Sequence, residues 1–176
     1  MKIGIEVSTV LNFGTRMGAG RYINNLIKNL LKSNNNDEFI FTGYHASNEH
    51  MHIFEDFLKN NPQKNIKASF YPVSQKQLEK LGRKKFPAIE IRGFKSDILH
   101  CPDYIIPPTF NKNIVLTIHD MSFFRFPEFN FEWFVRKYQK MVSQNAKKAR
   151  MIIADSQSTK RDIIEYLGTE PSKIRV

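Results

Sequence analysis

Asn113-Ile114-Val115-Leu116-Thr117-Ile118-His119 is the stretch that decides how this chain folds. From Ile114 to Ile118 the side chains are apolar or β-branched, with no alternation between apolar and charged positions. A strand with one wet face alternates, whereas a strand covered on both faces does not. The run therefore predicts a strand inside a parallel sheet, with helices packed above and below it. Working outward, similar short runs occur at Lys2–Val7, Glu38–Tyr44, Ile66–Val73, Asp97–Cys101 and Met151–Asp155. Helix-like spacing separates them. Tyr22, Ile23, Leu26, Ile27, Leu30 and Leu31 form one stripe over Arg21–Lys32. Asn34-Asn35-Asn36-Asp37 then supplies residues that tolerate turn geometry. Further helices are expected near 48–60, over Gln75–Arg92 with Pro87 as an interruption, over Phe131–Ala149 and over Ser156–Leu167. Strands alternating with helices define an α/β chain, a Rossmann-like doubly wound parallel sheet in one domain.

Composition narrows the function classes. The 176 residues carry 27 lysines and arginines against 17 aspartates and glutamates, a net charge of +10. No run of about 18 uncharged apolar residues exists, so no membrane-spanning segment is expected. The opening Met1-Lys2-Ile3-Gly4-Ile5-Glu6-Val7 reads as a first strand rather than a signal peptide. The single cysteine, Cys101, allows no internal disulfide and suits a reducing cytoplasm. Positive charge is densest from Lys76 to Lys85 and from Lys137 to Arg150. The second piece reads first as a solvated helix face and second as a surface for anionic lipid at the inner face of the membrane. Nucleic acid is not expected, since no zinc, arginine-rich or RNA-stacking motif accompanies the charge.

Ligands of open α/β sheets bind beyond the carboxyl ends of the strands. After the first strand, a loop from Ser8 to Met17 leads into Gly18-Ala19-Gly20-Arg21-Tyr22. Glycines just before a helix let backbone N–H groups approach an anion. A dinucleotide site is disfavoured: Ile23 replaces the third glycine and ten residues lie between Val7 and Gly18. Later loops carry His100-Cys101-Pro102-Asp103-Tyr104 and His119-Asp120-Met121-Ser122-Phe123. His100 reads as structural. His119 is open to a structural or a ligand-binding role, and Asp120 orients a ligand or caps a turn. No set of side chains has metal-ligand spacing, so no metal is expected. The aromatics Phe123, Phe124, Phe126, Phe129, Phe131, Trp133 and Phe134 read chiefly as core, with an apolar or lipid-linked acceptor as the other use of any that are exposed. Ser156 is a good N-cap and also a candidate ligand contact.

Several of these blocks, taken together, resemble the front half of family-4 (group 1) glycosyltransferases. They are Ile3-Gly4-Ile5 leading to Gly18-Ala19-Gly20-Arg21-Tyr22, then Asp97-Ile98-Leu99-His100, Thr117 through Glu128, and Ile152 through Asp162. The resemblance implies one half of a GT-B fold, with the acceptor mostly on this half and a UDP- or GDP-linked sugar mostly on a second, carboxyl-terminal domain outside residues 1–176. It implies a retaining transfer to a glycan or lipid-linked acceptor with no cofactor and no metal, in polysaccharide assembly. It places Gly18 and Gly20 near the donor diphosphate or the acceptor, and His119, the catalytic candidate, near the donor sugar; Ala19 and Arg21 beside the glycines, with Asp120 and Ser156, complete the donor- or acceptor-binding candidates. Glu6 stands where many members have Asp, and Ala19 where Ile or Val is common. On this reading Glu170-Pro171-Ser172-Lys173-Ile174-Arg175-Val176 begins another strand, the sequence continues beyond it, and residues 1–176 alone are inactive. Two rivals stand beside the transferase: a glycan- or partner-binding module without catalysis, and a GT-B relative such as a sugar-nucleotide epimerase.

Overall fold

The computed structural model describes residues 1–33, 36–45, 48–62, 65–73 and 88–176. Most of the expected Gln75–Arg92 helix lies outside the described residues; within them Ile89–Arg92 forms a short 3-10 turn. Strands alternate with helices along the chain in a Rossmann-like, doubly wound α/β fold. The chain divides into two compact units.

The first unit holds β1 (Lys2–Glu6), α1 (Ser8–Phe13), α2 (Gly18–Lys32), β2 (Glu38–Tyr44), α3 (His52–Asn60) and β3 (Asn65–Tyr71). β1 pairs in parallel with β2, and β2 with β3. The apolar stripe of α2 is buried through Ile23, Ile27 and Leu31. Phe41 of β2 meets Phe54 and Phe57 of α3 at ring-centroid distances of 5.7 and 6.3 Å, and Phe70 of β3 lies 5.3 Å from Phe54. These tilted aromatic contacts anchor α3, each fully buried ring contributing about 1.5–3 kcal/mol by transfer from water.

The second unit takes the end of β4 (Ile98–Cys101), then β5 (Ile114–Ile118), α4 (Ser122–Arg125), α5 (Glu132–Lys148), β6 (Met151–Ala154), α6 (Gln157–Leu167) and β7 (Ile174–Arg175). β5, β6 and β7 are parallel neighbours. Leu116, Thr117 and Ile118 are fully buried, as a strand covered on both faces requires. α5 turns Val135, Val142 and Ala146 inward, and α6 buries Ile163.

The strand after Ile3 ends sooner than the apolar pattern suggests, and the following segment corrects the sequence reading. Ser8–Phe13 is a helix rather than a loop, with Val10 and Leu11 packed into the core. Gly18 and Gly20 do not precede α2 but form its first turn. The reading failed there because six residues are too few to show helical periodicity. The expected helix near 48–60 begins at His52.

Candidate functional site

The register of the second unit assembles a polar site at the ends of two strands. Ile118 of β5 stands beside Ala154 of β6, so the next residue of each strand, His119 and Asp155, emerge together. His119 Nδ1 lies 2.7 Å from Asp155 Oδ2. The ring's Nε2 lies 3.1 Å from the carbonyl oxygen of Pro102, in the loop after β4. A carbonyl only accepts, so Nε2 must donate to Pro102; a carboxylate also only accepts. The imidazole satisfies both partners when both nitrogens carry a proton. The His119 side chain is 16% exposed and that of Asp155 43%, so the pair reaches solvent.

Neighbouring groups hold this pair from several sides. The Tyr104 ring meets His119 edge-on at 6.1 Å and 82°. Its hydroxyl donates to the Asp120 carbonyl at 3.3 Å and accepts from the Asp120 N–H at 3.2 Å. Burial, reinforced by the negative charge of Asp120, pushes the phenol well above its ordinary range. Asp120 Oδ1 accepts the Ser122 N–H at 2.9 Å and so stabilises the start of α4. Asn145, fully buried on α5, donates to the Tyr104 carbonyl at 2.6 Å. Thr159 Oγ1 donates to the His119 carbonyl at 3.1 Å, and Ser156 Oγ accepts the Thr159 N–H at 3.0 Å as the N-cap of α6. Arg125 of α4 pairs with the buried Asp162 of α6 at 2.6 Å. The backbone and side chain of His119 are thus each fixed by different elements.

His100 has a different environment. Its Nε2 meets Thr117 Oγ1 at 3.0 Å, between adjacent strands, and burial lowers its pKa to about 4. A ring held neutral by desolvation, with a hydroxyl partner in the sheet, serves packing.

The glycine loop of the first unit is built by close approach. Gly14 sits at φ 64° and ψ −154°, a conformation confined in practice to glycine. A Cβ on Gly20 would stand 2.1 Å from the Gly14 carbonyl oxygen, so Gly20 is demanded by the backbone of α1's exit. A Cβ on Gly18 would meet nothing within 4 Å. Arg21 is exposed and Ala19 half-buried on the first turns of α2. At the end of β1 Glu6 is fully buried, its Oε1 accepting the Ser8 N–H at 3.0 Å and also the Ser8 hydroxyl. Ser8 Oγ in turn accepts the Tyr44 N–H at 2.9 Å, and Asn12 Nδ2 donates to the carbonyls of Ser8 and Tyr44 at 2.8 Å each.

The residues singled out from sequence therefore fall in two places. His119, Asp120 and Ser156 are gathered in the second unit; Gly18, Ala19, Gly20 and Arg21 stand together on α2 of the first. Sequence reasoning gave no role to Asp155, Pro102, Tyr104, Thr159 or Gly14. Asp155 was within reach, because it follows an apolar strand just as His119 does, but only the β5–β6 adjacency turns that likeness into contact. Among the described residues no group of three or more His, Cys, Asp or Glu side chains is placed to hold a metal ion.

A parallel doubly wound sheet places the chain in the large class of Rossmann-like α/β proteins, and the polar pair stands at the strand ends where ligands of that class generally bind. The sequence matches the family model Glycosyltransferase Family 4 over residues 17–176, and the chain belongs to that family. Comparison with curated proteins finds no match.

Proposed function

We propose that this chain is the acceptor-side half of a retaining glycosyltransferase, which passes a sugar from a UDP- or GDP-linked donor to a glycan or lipid-linked acceptor on the cytoplasmic side of a membrane. The observation that carries the reading is the His119–Asp155 pair, partly open to solvent at the ends of β5 and β6 in a chain of this family. Asp155 holds Nδ1 and sets the ring's orientation. Nε2 then has one hydrogen bond to trade, from the Pro102 carbonyl to an oxygen of the donor sugar. There the ring supports charge that develops as the nucleoside diphosphate departs, the task of an aimed hydrogen-bond donor. Gly18, Ala19 and Gly20 present the N–H groups of a helix start to the donor or the acceptor, and Arg21, whose own N–H is taken by the Met17 carbonyl, adds its exposed guanidinium. The sugar nucleotide is a co-substrate, and neither organic cofactor nor metal enters the scheme.

In the complete enzyme His119→Ala should lower turnover by roughly 10²–10³ while leaving the melting temperature nearly unchanged, the loss expected for one transition-state donor. Near-normal turnover would sink the assignment. Residues 1–176 alone should bind UDP- and GDP-sugars in the millimolar range or worse, roughly −4 kcal/mol or less favourable. Calorimetry reads this directly, and tight binding would move the nucleotide site onto this half. One observation favours the rival binding module: both ring nitrogens of His119 are already engaged by the chain's own acceptors. A His119→Ala enzyme that keeps its glycan affinity and never had turnover to lose would decide for it.

A further inference from the structure

The aromatic run that reads as core from sequence is only half buried. Phe123 is 2% exposed, whereas Phe126, Phe129, Phe131 and Trp133 are 46%, 80%, 77% and 65% exposed. All four lie within eight residues of the second unit, around the start of α5. Exposed large aromatics occurring singly need no explanation, but a cluster of this kind marks a surface that meets something apolar.

The outer face of α5 says what that something is. Trp133, Arg136, Lys140, Gln144 and Lys147 recur at helical spacing and are all exposed. Arg136 pairs with Glu132 one turn away, and Lys140 and Lys147 continue the stripe. From Met121 to Arg150 seven lysines and arginines outnumber two glutamates. Protein interfaces deplete lysine at their core. An aromatic wedge continued by a lysine-bearing helical face is instead the composition of a helix lying in a lipid headgroup layer. Among the described residues no helix is long and apolar enough to cross a membrane, so attachment of this kind is peripheral.

We infer that Phe126, Phe129, Phe131 and Trp133 insert into the headgroup layer of an anionic phospholipid membrane while Lys140 and Lys147 engage its phosphates. The inference stands independently of the sugar transfer. Trp133 is the chain's single tryptophan, so its emission reports the event without a label. Phosphatidylglycerol-containing vesicles should move that emission to the blue and pellet the chain, phosphatidylcholine vesicles should do neither, and salt should reverse both. Lys140→Gln with Lys147→Gln should weaken partitioning about 25-fold, at about fivefold per cation. Phe129→Ser with Phe131→Ser should weaken it at least about tenfold, these side chains being exposed and their loss leaving the far-ultraviolet spectrum intact. Three results overturn the inference: no emission change on anionic vesicles, pelleting without such a change, or a blue shift on concentrating the chain without lipid. The last would assign the face to a second copy.

Discussion

At the carboxyl end of β1 the chain buries a carboxylate, Glu6, and ties it to Ser8 behind a helix start; at the carboxyl end of β5 it holds the imidazole of His119 near the surface, against an aspartate that is 43% exposed. Both ends carry residues that sequence alone marks as candidates for ligand binding. In the first unit the packing accounts for one of the two glycines: Gly20 must be glycine because a backbone oxygen lies where its Cβ would go. In the second unit packing accounts for His100 and leaves His119 16% exposed, its ring bonded to Asp155 and to the Pro102 carbonyl. The lesson is that a residue's chemistry is informative only after its steric obligations are subtracted.

That contrast breaks most visibly at Gly20. Gly20→Ala should cost about 3 kcal/mol or more, since the clash is with backbone that cannot swing away. Chemical denaturation of the 176-residue chain measures it, and a loss below about 1 kcal/mol would free Gly20 for a ligand role. Next in size is acid sensitivity in the second unit. The His100 ring takes a proton near 6.5 when unfolded but only at about 4 when folded. Between those values the unfolded state binds more protons, so stability is full above about pH 6.5 and is lost as pH falls toward 4, by about 2–3 kcal/mol. His100→Gln can keep a bond to Thr117 without titrating, and its unfolding free energy should be flatter across that window. A curve as steep as the parent's would place the acid-sensitive group elsewhere.

Smaller effects sharpen the comparison. Ser156→Ala removes the cap of α6 and should lower stability by about 1 kcal/mol, seen as a reduced melting temperature. A larger fall in activity than in stability would add a ligand contact to its capping. Gly18→Ala should raise stability by about 0.5 kcal/mol, because alanine suits a helix and nothing crowds its Cβ. If that variant is stable yet fails to bind a ligand the parent binds, Gly18 is the glycine whose smallness serves the ligand.

Much of the fold was legible residue by residue. Glu38–Tyr44 is a strand over the stretch its pattern marks, and Ile114–Ile118 is buried as an unalternating apolar run implies. The site was legible only in part. His119 stands out because it ends such a run, but its partner Asp155 required knowing that β5 and β6 are neighbours. The need for Gly20 was invisible because it depends on the course of Gly14 after α1, a helix too short to announce itself. Of the aromatics that read chiefly as core, Phe123 is buried while Phe126, Phe129, Phe131 and Trp133 are exposed, because composition counts rings without saying which way they turn.

The loop after β4 is gripped through its main chain, His119 reaching the Pro102 carbonyl and Asn145 the Tyr104 carbonyl. A carbonyl is the same in every residue, so these two bonds store no information about the side chains of the loop they hold. Substitutions at Pro102 that keep the backbone path should drift freely over evolutionary time, whereas His119 and Asn145, which do the reaching, should not. The geometry of the site is in this sense written in α5 and β5, and the loop merely takes dictation.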